Sequence, residues 1–222
     1  FFFFFSCALV TAFVWAVIQN LIASIQGFFV FSQLLGVWLY TFLERILIPT
    51  GLHHFIYGPF IFGPAVVEGG IAKYWAEHLP EFAASAEPLK NLFPQGGFAL
   101  HGNSKIFGVP GIAAAIYVTA KPEKKKMVLG LLVSATLTAI VAGITEPLEF
   151  TFIFIAPALF AVHAVLAATM ATIMYAFGVV GNMGGGLIEI MTQNWIPLFK
   201  NHSGTVFAQI IIGLIFTVIY FF

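Results

Sequence analysis

Aspartate is absent from this chain, and cysteine occurs once, at Cys7. A lone thiol can close no intramolecular disulfide and build no thiolate cluster, which removes the disulfide scaffold and the Cys-based metal site together. Charge is scarce as well: 8% of residues are charged against 60% hydrophobic, and the mean hydropathy is +1.00. A soluble domain of this length needs a charged shell, so the solvent here is a bilayer and the class is an all-α integral membrane protein. The nine acids, all glutamate, balance nine Lys and Arg, and a net charge of +0 gives no reason to expect nucleic acid or an acidic partner. The opening also lacks the basic region and small-residue cleavage site of a signal peptide.

Enzyme signatures are missing too. Gly184-Gly185-Gly186 is not followed by Lys-Ser/Thr, so it is no phosphate-binding P-loop, and it does not match the dinucleotide fingerprint. Neither His-Glu-x-x-His nor Gly-x-Ser-x-Gly occurs. No nucleophile of the chain's own is evident, and no metal or cofactor is expected.

What is present is a series of broken apolar runs, where an unbroken spanning helix needs about 20 apolar residues. The stretch up to Phe42 is long enough for two passes, interrupted at Gln19-Asn20 and around Ser24 to Gly27; its Phe1 to Phe5 start is low in complexity. Glu44-Arg45 closes it, and Pro49-Thr50-Gly51 breaks the helix. Leu52 to Val67 carries Gly58, Pro59, Gly63 and Pro64 and reads as a re-entrant element, which is tolerated at membrane depth only where protein or a water-filled cavity satisfies its backbone. Glu68 to Ser104 reads as aqueous or interfacial, with Tyr74 and Trp75 at headgroup level. Ile106 to Ala120 is short for a pass and ends at the basic cluster Lys121 to Lys126, which the positive-inside rule places in the cytoplasm. Met127 to Ile144 returns as a helix, Thr145 to Glu149 interrupts it, and Phe150 to Val180 holds a half-span plus a span. Gly181 to Gly186 breaks the chain again, and a last helix starts at Val206. Paired, discontinuous apolar segments around sparse charge are the pattern of a polytopic transporter with its site near the midplane.

Ionisable groups inside apolar runs are costly and therefore mark function: Arg45, His53, His54, Glu146, Glu149, His163 and Glu189. Pro147 suits the first helical position, which predicts Glu146 at the N-cap and Glu149 folded back on it in a capping box. A carboxylate at a helix N-terminus is held ionised, with oxygens free for the hydroxyls of a polyol. An ordinary cap remains the competing reading for Glu146. Of the adjacent His53 and His54, at most one is expected to face a ligand, and His163 reads as a helix-packing histidine.

Gly143-Ile144-Thr145-Glu146-Pro147-Leu148-Glu149-Phe150 resembles the motif of membrane (IIC) components of the bacterial phosphotransferase system, glucose superfamily. The block Glu44 to His54 and the block Gly108 to Tyr117 with its basic loop agree in order, and the resemblance runs from about Trp38 onward. Phe98 to Lys105 and Gly181 to Gly186 look closest to the maltose branch. The resemblance implies a ten-helix, homodimeric domain with two re-entrant hairpins in the bacterial cytoplasmic membrane. Its second half binds sugar, and a IIB domain, charged through a IIA, HPr and enzyme I relay, phosphorylates the 6-hydroxyl from a phosphocysteine. Carried over residue by residue, it points to Glu146 and His53 as contacts near the reacting hydroxyl, with Arg45 and Thr145 as further ligands and Asn103 and Lys105 as weaker ones. Glu146 would orient or deprotonate that hydroxyl.

On this reading residues 1–44 hold the end of the first half and residues 45–222 the sugar-binding half, with both ends cut inside membrane segments. The IIB domain is missing, and Cys7 lacks the basic surroundings that activate a thiolate, so this piece is expected to bind maltose or a related glucoside without phosphorylating it. The rival is an ion-coupled sugar porter in which Glu146 and His53 relay protons.

Overall fold

The computed structural model describes residues 27–29 and 31–222. Phe1 to Phe5, Cys7, the Gln19-Asn20 interruption and most of the 1–44 segment fall outside them. Helix α1, Leu34–Ile46, ends in a 3-10 turn at Ile48–Thr50, because Pro49 cannot continue the ladder and Gly51 turns the chain at φ 72°. Helix α2, His53–Ile61, contains Pro59 and is far too short to span. It is the expected re-entrant piece, and the chain then turns through Gly63 and Pro64.

Helix α3, Ile71–Ala84, is amphipathic and turns Trp75 into the protein. Ile71, Trp75 and Phe82 form one buried stripe while Lys73, Glu77 and Glu81 face outward. Trp75 is wholly buried, and its Nε1–H donates to the Gln193 carbonyl at 2.9 Å. The glutamates mark the outer face of the helix and say nothing of the tryptophan's depth.

After the single turn α4, Leu89–Leu92, a 3-10 segment at Pro94–Gly102 and a π turn at Ser104–Gly108 lead into α5, Val109–Thr119. The short apolar run seen at 106–120 is thus the far end of a longer helical path. Helix α6, Lys125–Ala142, stops at Gly143 (φ 75°), and α7, Glu146–Ile153, and α8, Pro157–Ala176, supply the half-span and span. Helix α9, Leu187–Ile190, runs through a π turn at Met191–Trp195 into α10, Ile196–Phe221. The last helix therefore begins well before Val206. The polar residues between Thr192 and Gly204 disguised it, because several of them pair inside the protein. Trp195 Nε1–H donates to Gln209 at 2.9 Å, and Gln209 Nε2–H donates to Asn103 Oδ1 at 2.6 Å.

Pro122–Ala142, Pro157–Ala176 and Leu187–Phe221 are long and apolar enough to cross a membrane, and no strand occurs among the described residues. The architecture is all-α and membrane-embedded. Leu129, Leu131, Val133 and Leu137 on α6 are exposed, as a lipid-facing helix requires. Helix α1 lies along α8. Ala164, Ala167, Ala168 and Ala171 share the buried face of α8, and small side chains let two membrane helices approach closely. Helix α10 bends at His202 (φ −124°, ψ 27°). At the bend His202 Nε2–H donates to the Phe82 carbonyl at 2.9 Å and Asn201 Nδ2–H to the Ala83 carbonyl at 2.8 Å. Both acceptors belong to the last turn of α3, whose carbonyls have no partners within their own helix.

Candidate sugar site

Four interrupted segments meet around a cavity of about 450 Å³. The end of α1 contributes Glu44, and α2, reversed by Gly51, contributes His53, His54 and Tyr57. The 3-10 and π turns that precede α5 bring His101 and Lys105; the start of α7 brings Glu146; the loop before α9 and its first turns bring Asn182, Glu189 and Gln193. Close backbone crossings hold these parts in register. A Cβ on Gly102 would fall on the Met183 carbonyl oxygen, and one on Gly143 would lie 2.6 Å from Gly185 and Gly186 backbone atoms. The 181–186 loop is therefore clamped between the 3-10 segment at Gly102 and the Gly143 turn.

Glu146 is half-buried in the cavity wall and has no hydrogen bond or ion pair among the described residues. His53 Nδ1 is buried and likewise unpaired. Lys105 Nζ donates to the Gly184 carbonyl at 2.7 Å, which uses one of its three N–H groups. His53 and His54 both line the cavity, with ring centroids 4.0 Å apart, contrary to the expectation that only one would. They occupy the first turn of a short helix that the cavity wraps, so neighbouring positions reach the same space.

Glu149 stands elsewhere. Thr145 is the N-cap of α7, so Glu146 occupies the first helical position and Glu149 the fourth, one too far along for a capping box. Glu149 is turned inward, almost wholly buried, with Oε1 3.4 Å from Arg45 Nη1 and 3.4 Å from His163 Nε2. Arg45 also meets Glu44 Oε2 at 3.2 Å and donates to the His101 carbonyl at 2.8 Å. His163 thus packs α8 against the start of α7 through its contact with Glu149, in keeping with a hydrogen-bonded packing histidine.

Of the six residues singled out, Glu146, His53 and Lys105 face the cavity. Arg45, Thr145 and Asn103 lie in the wall behind it, each buried. Asn103 binds the Leu100 carbonyl at 2.9 Å and accepts from Gln209. Sequence reasoning passed over Glu44, Asn182 and Gln193 as site residues. Glu44 carried a usable signal, an acid beside an arginine at the edge of an apolar run; Asn182 and Gln193 carried none, since neutral amides are ordinary in breaks.

Hydroxyl-bearing ligands suit such a site, which offers carboxylate acceptors, an ammonium and imidazoles around one space. The family described as "Phosphotransferase system, EIIC" matches residues 1–168. Over 215 residues the chain is 72% identical to the PTS system maltose-specific EIICB component of Bacillus subtilis (strain 168), covering 97% of this chain and 41% of that protein. With the PTS system alpha-glucoside-specific EIICB component of Leptotrichia buccalis the identity is 68% over 215 residues, again 97% of this chain and 41% of the relative. The Phosphotransferase IIC component GlvC of Escherichia coli (strain K12) is 70% identical over 183 residues, 82% of this chain and 50% of its own length. The chain therefore spans half or less of these relatives. Its broken helices, the cavity that Glu146, His53 and Lys105 share, and these matches agree: the chain belongs to the EIIC family of the phosphotransferase system.

Proposed function

We propose that this chain forms the sugar-binding part of a bacterial phosphotransferase-system permease that takes maltose or a related α-glucoside across the cytoplasmic membrane. Sugar enters from outside, is held by Glu146 and His53, and moves inward as the binding half shifts against the rest of the protein. A IIB domain then presents a phosphocysteine, recharged through IIA, HPr and enzyme I, and phosphoryl transfer to the 6-hydroxyl traps the product inside. Glu146 orients that hydroxyl and accepts its proton as the oxygen attacks phosphorus. General-base help of this kind is worth about 10²- to 10⁴-fold in rate. Arg45 acts from behind the wall by holding Glu44 and Glu149 in place. The permease works as a homodimer.

The observation that carries this reading is Glu146, half-buried and without a protein partner among the described residues, on the wall of a cavity that His53 and Lys105 also line. A carboxylate inside an apolar protein needs donors, and the hydroxyls of a polyol supply them. The test replaces Glu146 with Gln in the full-length protein. Hydrogen bonds to a charged acceptor contribute about 1.5–3 kcal/mol, so sugar affinity should fall roughly 10- to 150-fold and phosphotransfer further still. Binding and phosphorylation at the parent level would end the assignment.

A further inference from the structure

Four lysines stand at the turn between α5 and α6, Lys121, Lys124, Lys125 and Lys126, with Glu123 as the one acid among them. None of the four is within ion-pair distance of a carboxylate among the described residues. Lys121, Lys124 and Lys126 are exposed, whereas half-buried Lys125 leans back over the ring of Tyr117, with Nζ 5.2 Å from the centroid. Tyrosine and lysine together mark the depth of lipid headgroups.

Tyr117 is also the rim of a groove of about 350 Å³ between the two helices, walled by Ala113 and Ala114 on α5 and by Leu129, Val133 and Leu137 on α6. Alanine at two of these positions leaves the space open, and Leu129, Val133 and Leu137 are exposed. Lys125, Leu129, Val133 and Leu137 recur every fourth residue of α6, so they form one stripe with the ammonium at its end. From Lys125 to Leu137 the helix rises about 18 Å, a little more than half of a hydrocarbon core of about 30 Å. The groove therefore runs about the depth of one leaflet. A second apolar groove, at Ile112, Phe152, Leu159 and Phe221, has no lysine or arginine in its wall.

We infer that the lysine turn and this groove form a site for one anionic phospholipid, its phosphate headgroup on Lys125 and the lysines beside it and an acyl chain along Ala114, Leu129, Val133 and Leu137. Charge decides the occupant: an apolar groove takes any acyl chain, but unpaired lysines at its mouth favour a lipid that brings negative charge. Each lysine near the headgroups contributes about fivefold in affinity. Tyr117 holds Lys125 at the mouth before lipid arrives, so less is lost in ordering that side chain. The site shares no lining residue with the sugar cavity and is independent of what fills it.

In the experiment, full-length protein in detergent is titrated with dioleoylphosphatidylglycerol or dioleoylphosphatidylcholine, and bound lipid is counted by native mass spectrometry. The parent should hold one phosphatidylglycerol at least about 10-fold more tightly than phosphatidylcholine. Lys125→Gln should weaken phosphatidylglycerol about fivefold and leave phosphatidylcholine within about twofold, while Lys125→Arg keeps the charge and the ring contact and should stay near the parent. Ala114→Leu, at an exposed position, fills the groove and should weaken phosphatidylglycerol with every lysine in place. Elution with the parent by size-exclusion shows that a variant is folded, and Lys124→Gln with Lys126→Gln, both exposed, carries the charge test if Lys125→Gln is not. Equal affinity of the parent for the two lipids, or unchanged phosphatidylglycerol binding once lysines are removed, overturns the site. Loss with the lysines but not with Ala114→Leu leaves a basic surface without a seat for a chain and overturns it too. So does a parent that retains no phospholipid, whose groove is then covered by another part of the protein or by a second copy.

Discussion

Removing Glu149 tests whether the ion network behind the cavity is a structural clamp. Glu149→Gln deletes one of the two carboxylates around Arg45 and leaves the guanidinium buried with Glu44 at 3.2 Å and the His101 carbonyl at 2.8 Å. Stripping a buried pair of one partner costs about 3–5 kcal/mol, because an uncompensated charge stays behind. Both contacts of Glu149 Oε1 are 3.4 Å, long for charge-assisted hydrogen bonds, and Arg45 keeps its shorter partners. The loss should therefore lie at the low end, about 3 kcal/mol. Arg45→Met should cost more, since it strands Glu44 and Glu149 together. Thermal unfolding of the purified full-length protein in detergent reads both, and the midpoint should fall in the order parent, Glu149→Gln, Arg45→Met. Sugar affinity of folded Glu149→Gln should change less than that of Glu146→Gln. An unaltered midpoint for Glu149→Gln together with collapsed sugar binding would show that the wrong carboxylate has been placed in the cavity.

Gly102→Ala should leave little folded protein by size-exclusion, because its Cβ would collide with backbone at Met183, Gly184 and Gly185, where no side chain can swing away. Gly130→Ala, with nothing within 4 Å, should instead be neutral or stabilise α6 by up to about 1 kcal/mol. For topology, a cysteine placed at Lys124, on the exposed basic loop, should resist a membrane-impermeant thiol reagent in intact cells; rapid labelling from outside would reverse the orientation.

Helix breaks were legible because prolines and glycines act locally: Pro49 with Gly51 and the 181–186 run each stand where the chain turns, whereas the stop at Gly143 falls one residue before the Ile144 expected to end that helix. Glu146 was legible for the same reason, as an acid at a marked helix start. Its exact station was not, since Thr145 and Glu146 both suit a cap and only the turn of the chain after Gly143 decides between them. That shift of one position moved Glu149 from a surface capping role to a buried ion network with Arg45 and His163, partners remote in sequence. The burial of Trp75 was not legible, because hydropathy reports composition along the chain while its partner, the Gln193 carbonyl, lies far downstream. The start of that helix was hidden by amides whose partners, Asn103 and the Asn182 loop, no local pattern reveals.

The caps that His202 and Asn201 place on α3 impose an order of events. Those two side chains stand far downstream of the Phe82 and Ala83 carbonyls they satisfy. A ribosome adds about 5–20 residues per second, so α3 leaves the tunnel seconds before its caps exist. During that interval its last turn must find other donors, such as water, for those carbonyls. Only the arrival of α10 supplies the partners that let the end of α3 bury Phe82 with its carbonyls satisfied.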